Sequence, residues 1–131
     1  DKLNIEKNNT VITMKRIRTA NGKAAAYLVD TIPKKMVNGE SLENIDTESV
    51  FAYIEKKFGI VIDHAIAEII PARPTEEMIS ILNVPKDKLF TLLHQIHYDK
   101  AGNPVLYSFD YFDCDVFKFK INRIGVTRWR K

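Results

Sequence analysis

The Asn-Gly pair at Asn21-Gly22 constrains this chain more than any other local feature. It separates two runs of strand character, residues 11–19 and 23–32, and a two-residue Asn-Gly link between such runs is the strongest short-range signal for a tight β-hairpin. Pro33 closes the second run. Side chains alternate across a strand, so Ile12, Met14, Arg16 and Arg18 share one face while Thr13, Lys15 and Thr19 share the other. The face carrying Ile12 and Met14 is the candidate for the core side. Two guanidiniums pointing inward there repel each other and lose hydration, which calls for an anion between them. Their forked donors match a carboxylate or a phosphate. The same pattern also allows two arginines on a solvated or edge-strand face, paired with nearby Asp or Glu.

The remaining elements follow from periodicity and punctuation. Residues 34–37 form a helical turn before Asn38-Gly39, and Leu42 and Ile45 anchor an otherwise loop-like stretch. A helix over 47–58 is capped by Asp46 or Thr47, carries Glu48 in its first turn and is closed by Gly59. Val50, Phe51, Ile54 and Phe58 make its apolar face. Residues 60–70 read as a strand stopped by Pro71, and 75–82 as a short helix burying Met78, Ile81 and Leu82. Residues 89–98 and 105–112 pair as a hairpin across 99–104. Phe117, Phe119 and Ile121 alternate with Lys118 and Lys120, the pattern of a half-buried strand. About six strands, linked mostly by hairpins, with two or three helices indicate an α+β domain on a largely antiparallel sheet.

At 131 residues the chain is one domain with room for a hydrophobic core. It carries no apolar stretch of membrane-spanning length and no signal-peptide pattern. Cys114 is the single cysteine, which excludes an internal disulfide and a cysteine metal cluster and fits a cytoplasmic setting. The net charge of +3 is mild. The basic end, with Lys118, Lys120, Arg123, Arg128, Arg130 and Lys131, reads as a solvated terminus rather than a nucleic-acid patch. Residues 1–10, which open at Asp1 and include Asn8-Asn9-Thr10, read as a linker remnant from a longer protein.

Catalysis and metal binding find little support. His64, His94 and His97 lie in strands outside any nucleophile elbow or zinc-type helix motif, and His97 is expected to be exposed. Asp110, Asp113 and Asp115 lack the glycine of a calcium loop and fit a turn with local side-chain bonds. Ser49, in the first turn of the 47–58 helix, sits where free N–H groups and the helix dipole favour an anion, although it also fits simple capping. No cofactor is indicated.

The ordered set Arg16-Ile17-Arg18, Asn21-Gly22, Ser49-Val50-Phe51, Phe58-Gly59-Ile60, 102–108, Tyr111-Phe112, Asp115 and Phe117-Lys118-Phe119 resembles the UTRA domain. That domain is the effector-sensing half of GntR-type bacterial transcription regulators of the HutC subfamily. The resemblance implies a chorismate-lyase-like antiparallel sheet with flanking helices over 11–131. It further implies dimerisation, a small anionic effector (a phosphorylated sugar or an organic acid) and operator DNA bound only through a winged helix-turn-helix absent from this chain. In members that sense phosphorylated amino sugars the Arg-x-Arg pair and the helix-start serine hold the anion, positions matched here by Arg16, Arg18 and Ser49. The aromatic positions match Phe51, Tyr111 and Phe112. The acidic positions of those sensors match Leu28 and Leu106, and the usual proline after the turn is Ala24. A leucine cannot accept bonds from sugar hydroxyls, so the expected effector has a more apolar body. The rival readings are a chorismate-lyase-like enzyme acting on a carboxylated ring, and a purely structural dimerisation domain with its arginines paired internally. Trp129 is a candidate dimer contact.

Overall fold

The computed structural model describes residues 2–7, 10–37 and 50–125. Six strands, β1 (Lys2–Lys7), β2 (Val11–Ala20), β3 (Lys23–Pro33), β4 (His64–Ala72), β5 (Phe90–Tyr98) and β6 (Pro104–Asp113), form one sheet in the order β1-β2-β3-β6-β5-β4. Every neighbouring pair is antiparallel. Helices α1 (Val50–Phe58) and α2 (Glu76–Leu82) and a 3-10 turn over Lys34–Val37 are the other elements among the described residues. Asn21 and Gly22 both adopt positive φ, 54° and 77°, as the tight hairpin requires.

One residue of irregularity decides which side chains meet. Ala20 pairs with Lys23 and Thr19 with Ala24, but a bulge between Arg18 and Thr19 shifts the rest of the ladder, so that Arg18 faces Ala26, Arg16 faces Leu28 and Met14 faces Asp30. Without that bulge Arg16 would face Tyr27, and every even-numbered residue of β3 would lie on the opposite side of the sheet.

The two faces are covered by different helices. On one, α1 lays Ile54 onto Ile12, Met14, Ile32, Val105 and Leu106. On the other, α2 buries Met78 against Tyr27 and Phe90, with Ile17, Val29 and Tyr111 around them. Both helices end as their sequences dictate. Thr75 caps α2 by accepting from the Met78 N–H at 3.1 Å, and Asn83 closes it in the left-handed region. Gly59, at φ 68°, closes α1.

Four expectations are corrected. Lys2–Lys7 is an edge strand paired with β2, not linker. The fourth strand starts at His64 and runs through Pro71 to Ala72, because an edge strand has a solvent side on which proline costs no ladder bond. Ile81 is 49% exposed, so Met78 alone is buried from the α2 stripe. Residues 117–124 carry no ladder. Their aromatic alternation arises because Phe117 and Phe119 set their rings edge-on to Phe112, at 5.1 and 5.2 Å between centroids. The expectations on Asn38-Gly39, Leu42, Ile45, Asp46, Thr47, Glu48, Ser49, Arg128, Trp129, Arg130 and Lys131 lie outside the described residues.

Leu106 is buried under α1, whereas Ile121 is 76% exposed. Leu106→Ala is therefore expected to cost about 2–4 kcal/mol in urea denaturation, and Ile121→Ala less than about 0.5 kcal/mol.

Candidate functional site

The α1 face of the sheet is apolar at one end and polar at the other. Its polar end is a row of side chains that the shifted register places together: Arg16 and Arg18 from β2, Asp30 from β3, Ser108 and Asp110 from β6, and Gln95 and His97 from β5. Arg16 is only 7% exposed and Asp30 1%, and an Arg16 Nη2 N–H donates to Asp30 Oδ2 at 3.4 Å. The fully buried Ser108 hydroxyl donates to Asp30 Oδ1 at 2.7 Å. Because that proton is committed, the 3.1 Å contact between His97 Nε2 and Ser108 Oγ has the imidazole as donor, which fixes its tautomer.

The electrostatics follow from this chain of bonds. Burial raises the Asp30 carboxyl above the ordinary carboxylate range, while Ser108 and Arg16 pull it back. Burial lowers His97 below the ordinary imidazole range, against the pull of Asp30, and so favours its neutral form. Asp110 is pushed up to about 7, first by burial and then by the Asp30 charge, against the opposing pull of Arg16, Gln95 and Arg18. Its Oδ2 accepts from Gln95 Nε2 at 3.4 Å, and its Oδ1 is buried with no hydrogen-bond partner among the described residues. Arg18, at the end of the row, is exposed.

The expected site residues separate into three groups. Arg16, Arg18, Leu28 and Phe112 share the polar face, with Leu28 lying between Arg16 and Asp110 in the register. Phe51, 40% exposed in the first turn of α1, rests its ring against His97 at 4.9 Å. Tyr111 and Leu106 do not join them. Tyr111 points to the opposite face, edge-on to Phe90, since adjacent strand residues alternate. Leu106 is on the right face but sealed into the core beneath Ile54. Ser49 lies outside the described residues.

No motif in the sequence assigns Asp30, Ser108 or Gln95 to the site, and His97 and Asp110 read there as an exposed histidine and a turn acid. His97 is buried rather than exposed, because β5 turns it beneath α1. Asp113 and Asp115 do form the expected local turn, with Asp113 accepting from the Asp115 N–H and both carboxylates meeting Lys88. Asp110 stands apart from them, on the arginine face. The acids absent at positions 28 and 106 are therefore not missing from the face, because Asp30 and Asp110 supply carboxyls beside Arg16. Nothing in the sequence alone could reveal this, since it depends on the bulge and on long-range pairing. No group of three or more His, Cys, Asp or Glu capable of holding a metal occurs among the described residues.

A carboxyl held near 7 in the fold but near 3.8 when unfolded destabilises the fold as pH rises between those values. Asp110→Asn is therefore expected to be more stable than the parent at pH 8, by about 1–3 kcal/mol, with the gap closing as pH falls toward 4. Urea titrations across that range check the sign.

Comparison with known proteins places this geometry among relatives. A family model described as the UTRA domain matches residues 1–118. The chain is 30% identical over 122 residues to the mannosyl-D-glycerate transport/metabolism system repressor MngR of Escherichia coli K12, an alignment covering 91% of this chain and 49% of that protein. The chain thus spans about half the length of that relative. Among solved structures, the effector binding domain of the Bacillus subtilis trehalose repressor TreR is similar with a TM-score of 0.75 at 20% identity, covering 95% of this chain and 96% of that one. PhnF from Mycobacterium smegmatis is similar with a TM-score of 0.78 at 20% identity, covering 88% of this chain and 51% of that one. At these identities the two structures establish the fold.

Proposed function

The chain belongs to the UTRA domain family, and from that premise we propose that it is the effector-sensing domain of a GntR-type, HutC-subfamily transcription regulator. It takes a small anionic metabolite on the polar half of the α1 face, and this occupancy controls operator binding by a separate winged helix-turn-helix. The observation that carries the reading is the pairing of a buried, internally neutralised Arg16 with an exposed Arg18 on the same strand face. One guanidinium is fixed by the fold and the other faces solvent beside it, ready for an anion.

Arg18 supplies the principal charge for the anion. Arg16 lies beside it on the same strand face, Phe51, Leu28 and Phe112 form the apolar surround, and Ser49, which precedes α1 in the sequence, is expected to add a donor. The effector is a phosphorylated sugar or an organic acid. The repressor of 30% identity is named for a mannosyl-D-glycerate system, and glycerate is a carboxylic acid, which favours the organic acid. The domain works as a homodimer in the cytoplasm, and the effector shifts the dimer between two arrangements by binding one more tightly than the other. Tyr111 and Leu106 have no part in the site. The enzyme alternative has the weaker support, since the relatives are named as repressors and regulators rather than lyases.

Calorimetry against sugar phosphates and organic acids tests the reading. Arg18→Met is expected to weaken the bound anion at least about tenfold while leaving stability within about 0.5 kcal/mol, as befits an exposed residue. Equal affinity in the parent and the variant would remove the arginine from the site.

A further inference from the structure

Resting on that reading, we infer that Asp110 makes effector binding proton-linked. A monocarboxylate seated beside Arg18 binds together with one proton, which is taken from solvent and carried on the Asp110 carboxyl.

The charges on this face pair off one against another. Arg16 and Asp30 neutralise each other within the buried network, and Ser108 and His97 complete it without net charge. Among the described residues, what remains on this face is Arg18 and Asp110. When Asp110 is ionised those two cancel, and the face offers an anion no net attraction. When Asp110 is protonated the face carries one positive charge, matched by one carboxylate. A phosphate dianion would bring a second negative charge close to the buried Asp30.

The groups facing Asp110 are Arg16 and Arg18 from β2, Asp30 from β3, Gln95 and His97 from β5, and Ser108 on its own strand. The register places Ala65, Ala67 and Ile69 of β4 on this face, and none of them is charged. Among the described residues one neutral donor, Gln95 Nε2 at 3.4 Å, approaches the Asp110 carboxyl, and its second oxygen is buried without a partner. A carboxylate so poorly solvated is the group that gives way when another anion arrives. Because its midpoint is already pushed up to about 7, the proton is available near neutrality. The coupling acts through charge and needs no direct contact between the carboxyl and the ligand.

The experiment follows the isotope-labelled chain by NMR from about pH 6 to about pH 8.5, with D-glycerate and glycerol 3-phosphate as probes. The Asp110 side-chain carbon is expected to titrate near neutrality and to move to a higher midpoint on adding D-glycerate. D-glycerate affinity is expected to fall up to about tenfold per unit above neutral pH and to be flat below it, and D-glycerate should bind more tightly than glycerol 3-phosphate. In Asp110→Asn, an isosteric change whose folding the same spectra verify, binding should lose its pH dependence. Probe-induced shifts at the Arg16 and Arg18 amides with an unmoved Asp110 midpoint and pH-independent affinity would overturn the proton linkage while leaving the site in place. Tighter binding of glycerol 3-phosphate would overturn the charge count. No response at those amides to either probe would overturn the site itself, and this inference with it.

Discussion

A buried guanidinium and a buried carboxylate, Arg16 and Asp30, set the terms for the rest of the molecule. Each loses water on folding, and their attraction alone rarely offsets that loss. Here the deficit is met by neighbours: the Ser108 hydroxyl takes the second carboxylate oxygen, and His97 in turn takes Ser108. Four strands, β2, β3, β6 and β5, are thereby tied at one point, and the two residues at its centre lie inside the sheet rather than at its rim. The hairpin bulge is what allows it, because only the shifted register puts Asp30 on the arginine side.

From this knot the two faces of the sheet acquire different characters. The α2 face is closed by Met78 and aromatic packing, with Tyr111 drawn into it. The α1 face is closed at one end by Ile54 and left polar at the other. Burial and the ion pair with Asp30 hold Arg16 in place, whereas Arg18 and Asp110 keep charges the fold does not fully use. A binding surface that must respond to a ligand needs such groups beside a rigid support. Of the remaining reactive groups, His97 is bonded within the network and Cys114 is exposed between two carboxylates.

Sequence reading recovered what local chemistry controls. The Asn21-Gly22 turn, the helix closed by Gly59, the hairpin through Asp99 and the α+β antiparallel class all rest on short-range rules, and all appear in the structure. Alternation along one strand is local and puts Arg16 on the Ile12 and Met14 face, where it is buried. Its partner was not found, because the anion that inward-facing guanidiniums demand comes from the fold through a one-residue slip that no motif announces. Proximity in sequence groups Asp110 with Asp113 and Asp115, although strand alternation separates it from Asp113. Phe117 and Phe119 imitated strand periodicity while serving only to cover Phe112. Long-range pairing, not residue type, decided each of these.

The most direct test of this account is a double-mutant cycle in urea on Arg16→Met and Asp30→Asn. If the two groups are bound to each other in the interior, Arg16→Met alone should cost about 3–5 kcal/mol by stranding Asp30. The double variant should then fall short of the summed single effects by about 2 kcal/mol or more. Effects that add to within about 0.5 kcal/mol would mean that the pair does not hold the sheet together, and the account built on it would fail.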